Sequence, residues 1–110
     1  MIIEESWVHD AIEYLMGNSR AGAAAKGMVV RTDHQRKKIR AQLIRDCELT
    51  TVAMLEAYAD AHELYEAACE RHARAVEENE FHENERNKCA TILDTWRTQQ
   101  ATSRLLGKVA

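Results

Sequence analysis

Cys69 and His72 stand one helical turn apart, the spacing at which a thiolate and an imidazole can grip one metal ion. A structural zinc site needs four such ligands, and no second pair with that spacing occurs in the chain. Di-iron helical bundles use Glu-x-x-His pairs. The residues three places before His62, His72 and His82 are Ala59, Cys69 and Asn79, so that chemistry has no donors here. A thiol nucleophile could be assembled from Cys47 and His62, but three cysteines and five histidines in a folded-back chain produce such pairs by coincidence. Ser6, Ser19 and Ser103 lack the tight turn of a nucleophile elbow. GNSRAGAAAKG holds three glycines, yet its spacing fits neither a phosphate loop nor a dinucleotide fingerprint. These residues imply no enzyme, no bound metal and no cofactor.

A stronger signal is charge. RTDHQRKKIRAQLIR, residues 31–45, carries six cations (Arg31, Arg36, Lys37, Lys38, Arg40 and Arg45) against one acid, Asp33. Residues 62–86 hold eight glutamates against three arginines. The net charge of −3 argues against a general polyanion binder, so the basic stretch has two readings. It is half of an internal charge complement, or it is a nucleic-acid contact through Arg36, Lys37, Lys38 and Arg40.

The elements that must position these residues are helices. The 110 residues contain no proline and only four glycines, which predicts an all-α chain forming a single domain over 1–110. Ser6 and Asp10 suit a helix start, and Trp7, Ala11, Leu15, Asn18, Gly22, Ala25 and Val29 repeat at alternating steps of four and three. One long helix over about 7–47 is the expectation, with a break near Thr32 as the alternative. Thr50 or Thr51 suits the cap of a short helix, and Asp60 with Glu63 suits the cap of the next. A second stripe follows through Tyr58, Ala61, Tyr65, Ala68, His72 and Ala75. EENEFHENERNK, residues 77–88, has one apolar residue but neither glycine nor proline, so it reads as solvated helix, and the second helix runs to about 104 with Gly107 beyond as a stop.

Two helices of ~40 residues, each ~60 Å long, then fold back as an antiparallel hairpin with a short helix at the turn. A turn midpoint near residue 54 or 55 sets Arg36–Arg40 opposite 69–73, and the basic stretch opposite the acidic segment. Tyr14 and Leu15 fall beside Leu93–Trp96, with Trp7 near. Two helices cannot enclose a core, so oligomerisation into a helical bundle is expected, with a homodimer as the economical form and a heterologous partner as the other.

Five of the six aromatic residues sit on or beside the stripes and read as packing residues. Phe81, alone among acids, reads as a side chain for insertion into a partner. The tail WRTQQATSRLLGKVA has Arg97, Arg104 and Lys108 and no acid, so Arg97 and Arg104 are further candidates for partner or phosphate contact. No apolar run approaches the roughly 18–20 residues of a membrane span, and MIIEESWV lacks the basic flank of a signal peptide. Three cysteines without paired spacing suit free thiols in a reducing cytoplasm.

YADAHELY (58–65), followed by DTWRTQQATSR (94–104), resembles a group of small helical proteins of tailed bacteriophages and prophages. Tyr58, His62 and Tyr65 match its tyrosine-rich turn, and Trp96, Arg97, Thr98, Ala101 and Arg104 match its C-terminal signature. Glu63 stands where the group often has proline. The resemblance covers about 50–104 and implies a phage gene expressed in the bacterial cytoplasm, with neighbours in DNA recombination or replication. It implies no activity. The expected role is a helical adaptor for a phage or host protein; the alternative is direct DNA binding through residues 31–45 and the tail.

Overall fold

A computed structural model describes residues 2–109, with the side chains of Lys108 and Val109 outside the description. The described chain is all-α: α1 (Glu5–Gly17), α2 (Ser19–Asp46), α3 (Val52–Ala61) and α4 (Glu63–Val109). The long helices α2 and α4 pack against each other as a hairpin, with α3 at the turn.

The expected first helix is divided, and at Asn18 rather than at Thr32. Gly17, Asn18 and Ser19 are three weak helix formers in a row. Asn18 still donates its backbone N–H to Tyr14 O at 2.9 Å and accepts from Gly22 N at 2.8 Å, so the chain bends and resumes. Thr32 does not cap anything. Its hydroxyl turns back onto the Met28 carbonyl, 2.8 Å away, inside continuous helix. The start of α1 also differs from the expectation. Glu4 occupies the N-cap with no side-chain bond, and Glu5 sets a negative charge in the first turn, where the helix dipole favours it.

Thr51 caps α3, its side chain accepting from Met54 N at 3.3 Å. His62 then ends one helix and begins the next. Its backbone is extended, and its N–H reaches Ala59 O at 3.3 Å. Its ring Nδ1 accepts from Leu64 N at 3.1 Å, and its carbonyl accepts from Tyr65 and Glu66. That is the capping role expected of Asp60, whose carboxylate is bound to Arg40 instead. α4 passes through 77–88 without interruption, as its lack of breakers predicts, and continues beyond Gly107.

The described chain divides into two compact units. The first comprises Met1–Gly22 and Phe81–Ala110. In it, the extended segment before α1 is fastened to α4 by a reciprocal pair: Ile3 N donates to Gln99 Oε1 at 2.9 Å, and Gln99 Nε2 donates to Ile3 O at 3.1 Å. Ile3, Val8, Ala11 and Cys89 are its buried apolar residues.

The second unit is Ala23–Glu80. Its buried residues are Ala25, Thr32, Ala59, Ala68 and Ala75. Four alanines and a threonine let helix axes approach closely, but they bury little apolar surface. Here α2 and α4 run antiparallel, and Thr32 meets His72 where the midpoint argument puts residue 77. The pair centres the turn on residue 52 rather than on 54 or 55.

Candidate interaction surfaces

In the second unit, the side chains that the sequence assigned to a basic grip are drawn into short ion pairs. Arg36 reaches Asp33 at 2.6 Å and Lys37 reaches the other carboxylate oxygen at 2.9 Å, both within one turn of α2. Arg40 binds Asp60 of α3 at 2.9 Å. Hydrogen bonds from Lys37 and then Arg36 hold the Asp33 carboxyl below its usual range. The same contact with Asp33 raises Arg36, with a smaller contribution from Tyr65, and Asp60 raises Arg40.

The expected pairing with glutamates of 64–78 is not what forms: Asp33, inside the basic stretch itself, and Asp60 of α3 take Arg36, Lys37 and Arg40. A carboxylate three or four residues away on the same helix needs no tertiary register to be found, so it outcompetes a distant one. Lys38 is exposed and has no ion pair among the described residues.

His72 links this cluster to the helix interface. Thr32 is 5% exposed and its hydroxyl lies 3.0 Å from His72 Nδ1. With its own proton on the Met28 carbonyl, the hydroxyl accepts from Nδ1–H. That leaves Nε2 facing Asp33 at 4.0 Å. The line of hydroxyl, imidazole and carboxylate has the order of a catalytic relay, but the hydroxyl is buried and its proton committed. Both ring nitrogens being directed elsewhere, His72 does not combine with Cys69 as a ligand pair. Among the described residues no group of three or more His, Cys, Asp or Glu gathers to hold a metal ion.

In the first unit, α1 and α4 border an apolar groove of about 730 Å³. Ile3, Trp7, Asp10, Ala11 and Tyr14 line one wall, and Glu85, Lys88, Cys89, Thr91 and Ile92 the other. Trp7 is 41% exposed on it, so this stripe aromatic is not the core residue that its spacing suggested. Trp96 lies in a second recess with Val8 and Ile12. Tyr14 and Trp7 thus share a groove with Ile92, while Trp96 lies apart from them on the other flank of α1. Burial pushes the Cys89 thiol up, with the Glu85 charge adding to it. All three cysteines are free thiols.

Phe81 projects at 57% exposure, its ring edge-on to His82 at 5.8 Å. Arg97 is exposed and paired loosely with Asp94 of its own helix at 3.7 Å. Arg104 is exposed, and Lys108 falls outside the described side chains. Sequence reasoning missed Asp60 as the partner of Arg40 and Ile3 as a core residue. Ile3 precedes the first helix, where no periodicity marks it.

No helix among the described residues is long and apolar enough to cross a membrane. Compared with known protein families, curated proteins and solved structures, the chain matches none.

Proposed function

We propose that this chain is a non-enzymatic helical interaction protein that self-associates and then serves as an adaptor. The observation that carries this reading is apolar exposure. Among the described residues, fourteen large apolar side chains are exposed, while five of the eight buried apolar residues are alanines. Apolar surface left open in this way marks a site of association.

The resemblance of residues 50–104 to the phage group supplies the setting: a bacterial cytoplasm, and a partner in DNA recombination or replication or a host factor. Direct DNA contact is the weaker reading, because Arg36, Lys37 and Arg40 already face acids.

Light scattering of the purified chain over a range of concentrations tests self-association. A mass fixed at 12.6 kDa throughout rejects the proposal. Fluorescence anisotropy with labelled single- and double-stranded oligonucleotides separates the alternative. Direct binding would show log affinity falling with log salt by about 0.9 per duplex phosphate neutralised. The adaptor reading expects no such binding.

A further inference from the structure

Exposed apolar residues favour a partner without setting how it sits. Charge and spacing along α4 supply a register. Phe81, Glu85, Lys88 and Ile92 follow one another at steps of four, three and four, the spacing of a single packing stripe on a helix. Glu85, Lys88 and Ile92 form the α4 wall of the groove, and Phe81 extends the same stripe beyond it. The stripe is distinct from the face of Arg86, whose guanidinium lies over Gly22 of α2. Neither Glu85 nor Lys88 has an ion pair among the described residues.

The stripe is self-complementary when reversed. A two-fold axis crossing α4 between Arg86 and Asn87 sets Glu85 opposite Lys88 of a second copy. The same axis sets Lys88 opposite the second copy's Glu85, and Phe81 opposite its Ile92 in both directions. One axis thus satisfies two ion pairs and two apolar contacts, which is what an isologous interface requires. A parallel arrangement in register would instead set Glu85 on Glu85 and Lys88 on Lys88.

We infer that the α1–α4 groove is occupied by α4 of a second copy of this chain, packed antiparallel about an axis between Arg86 and Asn87, with each Phe81 seated against the other copy's Ile92. This rests on the self-association proposed above and adds its register. The occupied groove becomes the core of a four-helix arrangement of two α1 and two α4 segments. Trp7 and Tyr14 then form the wall against which the incoming helix lies.

Charge reversal on the full chain tests the register, read by sedimentation velocity. Glu85→Lys faces two lysines with two lysines, and Lys88→Glu faces two glutamates with two glutamates. Each variant alone should raise the dimer dissociation constant by at least ~tenfold, since two attractive contacts become repulsive. An equimolar mixture of the two variants should recover the wild-type constant, because the mixed dimer restores opposite charges at both contacts. Circular dichroism checks that each variant keeps its helix content, and the mixture reports on register even where one variant loses some stability alone. A wild-type dimer unaffected by either reversal, or weakened by both with no recovery on mixing, overturns this register while leaving self-association standing. A wild-type monomer at every concentration overturns both.

Discussion

The hydrogen bond between Thr32 and His72 fixes the register of α2 against α4, and a double-mutant cycle measures it. Thr32→Val removes the hydroxyl with almost no change of volume. The hydroxyl's bonds to the Met28 and Val29 carbonyls go as well, but both carbonyls keep their backbone donors in the helix, so the group left without a partner is His72 Nδ1, 3.0 Å away. A neutral bond of this kind contributes ~1 kcal/mol. The His72 side chain is 22% exposed, so water can recover part of the unsatisfied Nδ1–H, and Thr32→Val should cost ~1 kcal/mol rather than more. His72→Ala loses packing against α2 as well, at ~1–2 kcal/mol. The coupling between the two should be ~0.5–1 kcal/mol. Urea denaturation followed by circular dichroism, at one protein concentration throughout, gives all four corners of the cycle. Additivity within ~0.3 kcal/mol would mean that the two residues do not touch, and the register of the hairpin described above would be wrong.

Three further outcomes follow from local geometry. Asp33 has a folded-state pKa below its unfolded value of about 3.9, so its contribution is full above that value and is lost as pH falls through the lowered one. Urea midpoints of the wild type should therefore drop below about pH 4, and Asp33→Asn should flatten that acid limb; equal limbs would refute the pairing. Gly27→Ala meets nothing nearer than Arg31 Nη1 at 3.7 Å and should stabilise by ~0.5–1 kcal/mol. Gly22→Ala brings a methyl to 2.5 Å from Arg86 Nη1, so it should gain less, and a larger gain in melting temperature at Gly22 would contradict the placement of Arg86. Cys89 is buried with a raised thiol pKa, whereas Cys47 and Cys69 are partly open. Iodoacetamide followed by mass spectrometry should label Cys89 last in the folded chain and without delay in urea.

Much of the fold was legible because breakers are rare. The absence of proline and the stripes of period three and four predicted two long helices, and the uninterrupted run through 77–88 followed from the same reasoning. What escaped were competitions between weak local signals. The Thr32 hydroxyl satisfies a capping pattern on paper, but the carbonyl four residues back takes it, while Gly17-Asn18-Ser19 accumulates enough loss of propensity to bend the chain. Asp60 and His62 offer two caps two residues apart. The choice depends on Arg40, which is twenty residues distant and claims the aspartate. The charge rail was legible as charge but not as pairing. Composition over long segments opposes 31–45 to 62–86, yet ion pairs form over the shortest paths, and Asp33 was the one acid inside the basic run.

The buried residues also set how stability and assembly must be linked. An alanine removes far less apolar surface from water than leucine, at roughly 25 cal/mol for each Å², and the described residues include no large side chain that is fully buried. Such a chain closes its helices tightly but gains little from doing so, and the larger apolar groups, Trp7, Ile12, Met16 and Phe81 among them, remain outside. If a second copy covers Trp7 and Phe81, as proposed above, that burial adds to the folded state, which mass action then stabilises. Each tenfold rise in protein concentration should stabilise the folded dimer by ~1.4 kcal/mol, and the melting temperature should climb accordingly. Scanning calorimetry over a hundredfold range of concentration reads this directly. A melting temperature that does not move would mean that alanine packing alone suffices, and the exposed apolar surface would lose its role as the force for association.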